Sequence, residues 1–161
     1  MQVMLAGEAA PDGSPAPWLA ATASGSAVLL DGDPEAGAAL LASTEPPAVE
    51  GSAAVVRWHD GRLDYAVTGG MVVLLDDGTV LTDAHGTVDH AGAVVLLSPG
   101  AAAAVVEYQA MTWVELLQVL AARGPREVIG LTRELERNDP DRLVWPRPAV
   151  HRGAALIYLQ L

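Results

Sequence analysis

The chain has 161 residues, of which 51% are hydrophobic and none is cysteine, and its formal net charge is −11. That length fits one domain with a sizeable core, and the absence of cysteine excludes disulfides, thiolate metal sites and thiol redox chemistry. Nine Arg with no Lys stand against 20 Asp and Glu, a balance that repels phosphate backbones and anionic lipid, so neither nucleic acid nor a membrane surface is an expected partner.

In chain order, Gln2–Ala6 reads as a short strand, and the GEAAPDGSPAP segment after it, with Pro11, Gly13, Pro15 and Pro17, reads as a surface loop. Its lack of a basic start and of a long apolar run predicts a soluble, cytoplasmic protein. WLAATA (18–23) and SAVLLD (26–31) form a strand pair joined through Ser24-Gly25. Asp33 then caps a short, weakly amphipathic helix that opens with Pro34. TEPPAVEGS is a linker leading into SAAVVRWH, LDYAVTG and MVVLLDDGTVLTD, whose turn dipeptides Asp60-Gly61 and Asp77-Gly78 predict antiparallel hairpins.

Further on, VVLLSPGAAAAVV (94–106) is a buried strand running into a helix, with Ser98 as N-cap and Pro99 at the first helical position. Thr112 and Glu115 make a capping box before Trp113, Leu116, Leu117 and Leu120, and this helix stops at Gly124-Pro125. The next helix gathers Val128, Leu131, Thr132 and Leu135 on one face and is expected to leave Arg126, Arg133, Glu134, Glu136 and Arg137 in water. GAALIYLQL closes the chain as a strand. The order predicts an α+β fold, helices on a mainly antiparallel sheet or sandwich, as a single domain over 1–161.

Taken in order, several segments resemble the type 2C metal-dependent Ser/Thr phosphatases, in a degenerate and shortened bacterial form. AVLLDGDP is similar to the family's metal-binding Asp-Gly, VVLLSPGAAAAVVEY to its Ser-Asp-Gly strand and helix, RELERNDP to its Arg-x-x-Glu-x-x-Asp-Pro helix ending, and HRGAA to the Asp-Asp-Ala before its last strand. The resemblance implies an antiparallel β-sandwich with flanking helices, one helical layer reduced. It also implies a two-metal centre built from carboxylates, since two divalent cations about 3.5 to 4 Å apart need oxygen ligands and bridge a nucleophilic water.

Of that ligand set only Asp31 remains. Ala16-Pro17-Trp18, Gly69-Gly70, Ser98-Pro99-Gly100 and Arg152-Gly153-Ala154 stand where the family keeps acidic groups. The expectation is therefore a catalytically inactive domain that binds no cofactor and works through protein contacts, as a homodimer or as the partner of another protein. Two rivals are a manganese- or magnesium-dependent phosphatase with an unorthodox site around Asp31, and a small-molecule sensor using the vacated cleft.

His151 and Arg152 are candidates for binding an anion. Trp18 and Trp58 are interface candidates, and Trp113 and Trp145 candidate core or interface anchors. Asp83, His85, Asp89 and His90 in DAHGTVDH are metal-binding residue types, but the stretch reads as a polar loop. Asp76-Asp77-Gly78 reads as a β-turn. Only one helix fits between Asp33 and Thr44, so one sheet face is expected to lie bare and apolar and to meet another copy or a partner.

Overall fold

The computed structural model describes residues 1–145 and 152–161. Among these residues, ten strands and four helices follow one another as β1 (Gln2–Glu8), β2 (Trp18–Ala21), β3 (Ser26–Leu30), α1 (Pro34–Ala42), β4 (Ala53–His59), β5 (Arg62–Thr68), β6 (Val72–Leu75), β7 (Val80–Leu81), β8 (Ala84–Asp89), β9 (Ala93–Leu97), α2 (Pro99–Val106), α3 (Trp113–Arg123), α4 (Pro125–Asn138) and β10 (Ala154–Gln160). They build two five-stranded antiparallel sheets, β1-β10-β9-β6-β7 and β2-β3-β4-β5-β8. The fold is α+β, as the sequence order predicts.

Because side chains alternate across a strand, each sheet feeds two apolar layers. Val73, Leu75, Val94, Leu96, Ile157 and Leu159 of the first sheet meet Leu29, Val56, Leu63 and Val67 of the second in the layer between the sheets. The intervening residues Val72, Leu74, Val95, Leu97, Leu156 and Tyr158 point the other way, onto Ala101, Leu116, Leu120, Val128 and Ile129 of α2, α3 and α4. Such double burial explains why β6, β9 and β10 read as continuous apolar runs rather than alternating ones.

On the far side of the second sheet, α1 covers Val28, Leu30, Ala53 and Val55 together with Trp18 and Val49. A single helix lies on this side, and the expected bare apolar face is absent among the described residues. Beyond α1 the outer face of β4, β5 and β8 carries Arg57, His59, Arg62, Asp64, His85, Thr87 and Asp89, in register with one another. Arg57 donates to the carbonyls of Leu40 and Glu45, drawing the 43–50 segment across the sheet. A polar ladder needs no cover, so the reason for expecting a partner on this face is gone.

Two further expectations are corrected. DAHGTVDH is not a loop: Ala84–Asp89 is strand β8 at the sheet edge, held by its register with β5 and bounded by the left-handed residues Asp83 (φ 46°) and His90 (φ 64°). Arg133 and Glu136 of α4 are not wet either, being 5% and 2% exposed. The Arg133 guanidinium gives both Glu136 carboxylate oxygens a hydrogen bond from Nη1 (3.1 and 2.9 Å), gives Glu8 another from Nε (3.1 Å), and reaches the carbonyls of Glu8 and Ala9. A buried charge persists when it is paired and bonded in this way. Nearby, the buried carboxylate of Asp139 accepts the backbone N–H groups of Leu143, Val144 and Trp145.

Arg133→Ala removes the buried cation that pairs with Glu136 and Glu8, for which a loss of about 3 to 5 kcal/mol is expected. The exposed neighbour change Glu134→Ala should cost less than about 0.5 kcal/mol. Urea unfolding of the two variants checks the contrast, and equal midpoints would contradict it.

On the outer ladder, hydrogen bonds from Thr87 Oγ1 and His59 Nε2 (both 2.6 Å) hold the Asp64 carboxyl below the usual carboxylate range, with Arg62 adding to the effect. A lowered folded-state pKa stabilises above the unfolded value of about 3.9 and loses that stabilisation as pH falls through the folded one. Asp64→Asn should therefore lower the melting temperature at neutral pH and converge with the parent in acid below that value. A difference independent of pH would contradict the assignment.

Candidate functional site

The two sheets part at one end of the sandwich, leaving a cavity of about 350 Å³ lined by Ser14, Pro15, Pro17, Asp31, Ser52, Met71, Pro99, Gly100, Arg152 and Gly153. They come from six junctions: the β1–β2 loop, the exit of β3, the entries to β4 and β6, the start of α2 and the start of β10. The segments around Pro17, Asp31, Pro99 and Arg152-Gly153 thus meet in space at this one cavity, whereas RELERNDP contributes nothing to its lining. Gly70 lies beside it, where an added Cβ would stand 3.3 Å from Pro99 Cγ.

Local chemistry explains the convergence. Ser98, fully buried, caps α2 by accepting the Ala101 N–H, and the same Oγ accepts the Ala155 N–H at 2.9 Å. One hydroxyl therefore ties the helix start to β10. Gly100 and Gly153 let the segments approach, since a Cβ on Gly100 would sit 2.3 Å from the Gly153 carbonyl oxygen and one on Gly153 1.9 Å from that of Pro15.

Asp31 lies exposed on the cavity wall, its backbone N–H bonded to the Ser52 carbonyl. Asp33 points away and caps α1 through the Glu35 N–H, so the two carboxylates do not act together. Arg152 is ion-paired with Glu107, the residue that ends α2, and this pairing offsets its positive charge. His151 lies outside the described residues.

The remaining candidates are scattered. Asp83 accepts the Gly69 N–H, Asp89 pairs with Arg62, and His85 lies on the outer face of the second sheet. Asp76 accepts the Gly92 N–H and Asp77 the Thr79 N–H, which makes Asp76-Asp77-Gly78 a turn. Trp18 packs beneath Gly37 of α1, and Trp58 closes the far end of the layer between the sheets. Trp113 packs on the helix-side core, and Trp145 meets Tyr108 edge to face at 5.3 Å.

What the cavity can do chemically follows from its donors. Asp31 is the one acidic residue on its wall, and among the described residues no three His, Asp or Glu side chains gather as metal ligands would. A two-cation centre needs several carboxylates to balance charge and hold geometry. These residues do not fit one. No helix among the described residues is long and apolar enough to cross a membrane. No family model, curated protein or solved structure matches this chain.

If glycine is what allows the segments to meet, Gly153→Ala should destabilise the protein by several degrees of melting temperature while the exposed Gly130→Ala leaves it unchanged or raises it. Thermal unfolding monitored by circular dichroism decides this, and a Gly153→Ala melt equal to the parent's would refute the close approach.

Proposed function

We propose that this domain is a non-catalytic relative of the type 2C phosphatases that acts by binding another protein chain. The observation that carries the reading is the composition of the cavity: the segments that resemble the family's ligand-bearing motifs meet there, yet they bring Pro99, Gly70, Gly153 and Arg152 where carboxylates would be required, and Asp31 stands alone. A single carboxylate cannot neutralise two divalent cations.

Composition supports the same conclusion from another side. Pro99 at the first helical position and Ser98 as cap are ordinary helix-start chemistry, and Asp33 is committed to capping α1. The sandwich frame persists with its junctions given over to structure. A surface of net charge −11 favours a basic or locally uncharged partner over an acidic one.

The test is turnover of p-nitrophenyl phosphate in the presence of manganese, with Asp31→Ala as control. No manganese-dependent turnover above that control is expected. Hydrolysis abolished by Asp31→Ala would overturn the proposal in favour of an active metal-dependent phosphatase.

A further inference from the structure

Strand β1 ends the first sheet, and among the described residues no strand pairs with its outer side. Its seven residues pair with β10 along their whole length, Gln2 with Gln160 through to Glu8 with Ala154, and β1 is the terminal strand of the order. Natural edge strands are usually shortened, bulged, or studded with Pro or outward charge, because unpaired N–H and C=O groups recruit other strands. None of these devices is found here. Gln2–Gly7 is uncharged and without proline, and the single charge, Glu8, is turned to Arg133.

The strand also overhangs. Leu5 lies opposite Ile157, whose side chain belongs to the layer between the sheets, so Leu5 faces the same side, yet it is 44% exposed. The second sheet reaches β1 near Gly7, where Leu19 of β2 approaches, and Val3 packs against the layer between the sheets. On the helix side a cavity of about 290 Å³ runs beside Leu5–Glu8, walled by Arg126 and Ile129 of α4. The strand is thus anchored by Val3, Met4 and Ala6 while Leu5 stays exposed at its middle.

We infer that this edge pairs with the same edge of a second copy, joining two first sheets into one continuous antiparallel sheet about a two-fold axis at Leu5. A two-fold axis makes identical strands antiparallel, the geometry this sheet uses throughout. With the axis at the middle residue, Gln2 lies opposite Glu8 of the partner, Val3 opposite Gly7, Met4 opposite Ala6, and the two Leu5 side chains adjoin on one face as a cross-strand pair.

Charge permits a second copy at this place. Two chains of −11 repel over most of their surfaces, but along β1 no free carboxylate faces another, and Arg126 leaves the flank locally positive. Edge β8, by contrast, carries Asp89 and is bounded by Asp83, while β2 and β7 have four and two residues. Strand pairing alone buries little area, which places the dimer in the weak, concentration-dependent class. Added salt should strengthen it by screening the like charges, since the Debye length is about 8 Å at physiological ionic strength.

The inference rests on the reading of the domain as a binding module. Its test is sedimentation equilibrium of the full chain from micromolar to millimolar concentration, at low and high salt, for the parent, Leu5→Lys and the opposite-edge control Val80→Lys, with circular dichroism to verify that each folds. Amide hydrogen exchange of the parent is followed at both ends of the concentration range. The expected result is a salt-strengthened dimer, weakened by at least about tenfold in Leu5→Lys, unchanged in Val80→Lys, with β1 amides slowed in the dimer. A monomer throughout, or a dimer that survives Leu5→Lys while β1 exchanges freely, overturns it. The second of these outcomes leaves the binding reading standing, whereas manganese-dependent turnover would remove that reading without touching the dimer.

Discussion

Everything in this structure depends on burying both faces of β10. Six consecutive residues, Ala154 to Leu159, are shielded, and they divide alternately between the helix-side core and the layer between the sheets. At about 1.5 to 3 kcal/mol for each fully buried large apolar side chain, Leu156, Ile157 and Leu159 alone tie three layers together. The strand is flanked by β1 and β9 in one continuous register. Its first residues meet the start of α2 through the Ser98 hydroxyl and the glycines at 100 and 153. The cavity is a consequence of this arrangement, lying where β10 enters the sandwich and the two sheets diverge.

The same arrangement accounts for where charge is kept. The apolar layers leave no room for ionic groups except where an ionic group finds its counterpart, as Arg133 does with Glu136 and Glu8. Elsewhere charge moves to the outer ladder of the second sheet, to the helix ends and to turns, where Asp33 and Asp77 bond backbone N–H groups. A carboxylate-rich centre at the cavity would need acidic side chains at helix and strand junctions, and those positions hold Pro, Gly and Ser. On the reading proposed above, catalytic capacity has been exchanged for a stable frame with one unguarded sheet edge.

Much of the fold was legible in the sequence because local chemistry dictated it. Ser98-Pro99, Asp33-Pro34 and Thr112 each cap the helix that follows, and Gly124 (φ 87°) ends α3. Strand β8 was not legible, since Ala-His-Gly-Thr-Val-Asp has one strongly apolar residue and becomes a strand only through its register with β5. Arg133 and Glu136 misled for a different reason: their charge reads as solvent-facing, although helical spacing places both on the stripe of Val128, Ile129 and Thr132, and Glu8, which also pairs with Arg133, lies at the other end of the chain. The site segments could be ordered from sequence, but their meeting in one cavity depends on long-range pairing that no local window contains. Nor could the sequence reveal that the sheet face beyond α1 is polar in register, because that follows from pairing Arg57 with Asp64 and Asp64 with Thr87.

The central claim is that this sandwich stands on apolar burial and paired polar groups. A direct measurement is the thermal unfolding midpoint in excess manganese compared with excess chelator. A folded-state cation at one hundred times its dissociation constant would add about 2.7 kcal/mol, equivalent to roughly 5 to 10 °C for a chain of this size. The account predicts coincident midpoints. A manganese-induced rise of that order, abolished by Asp31→Ala, would contradict it.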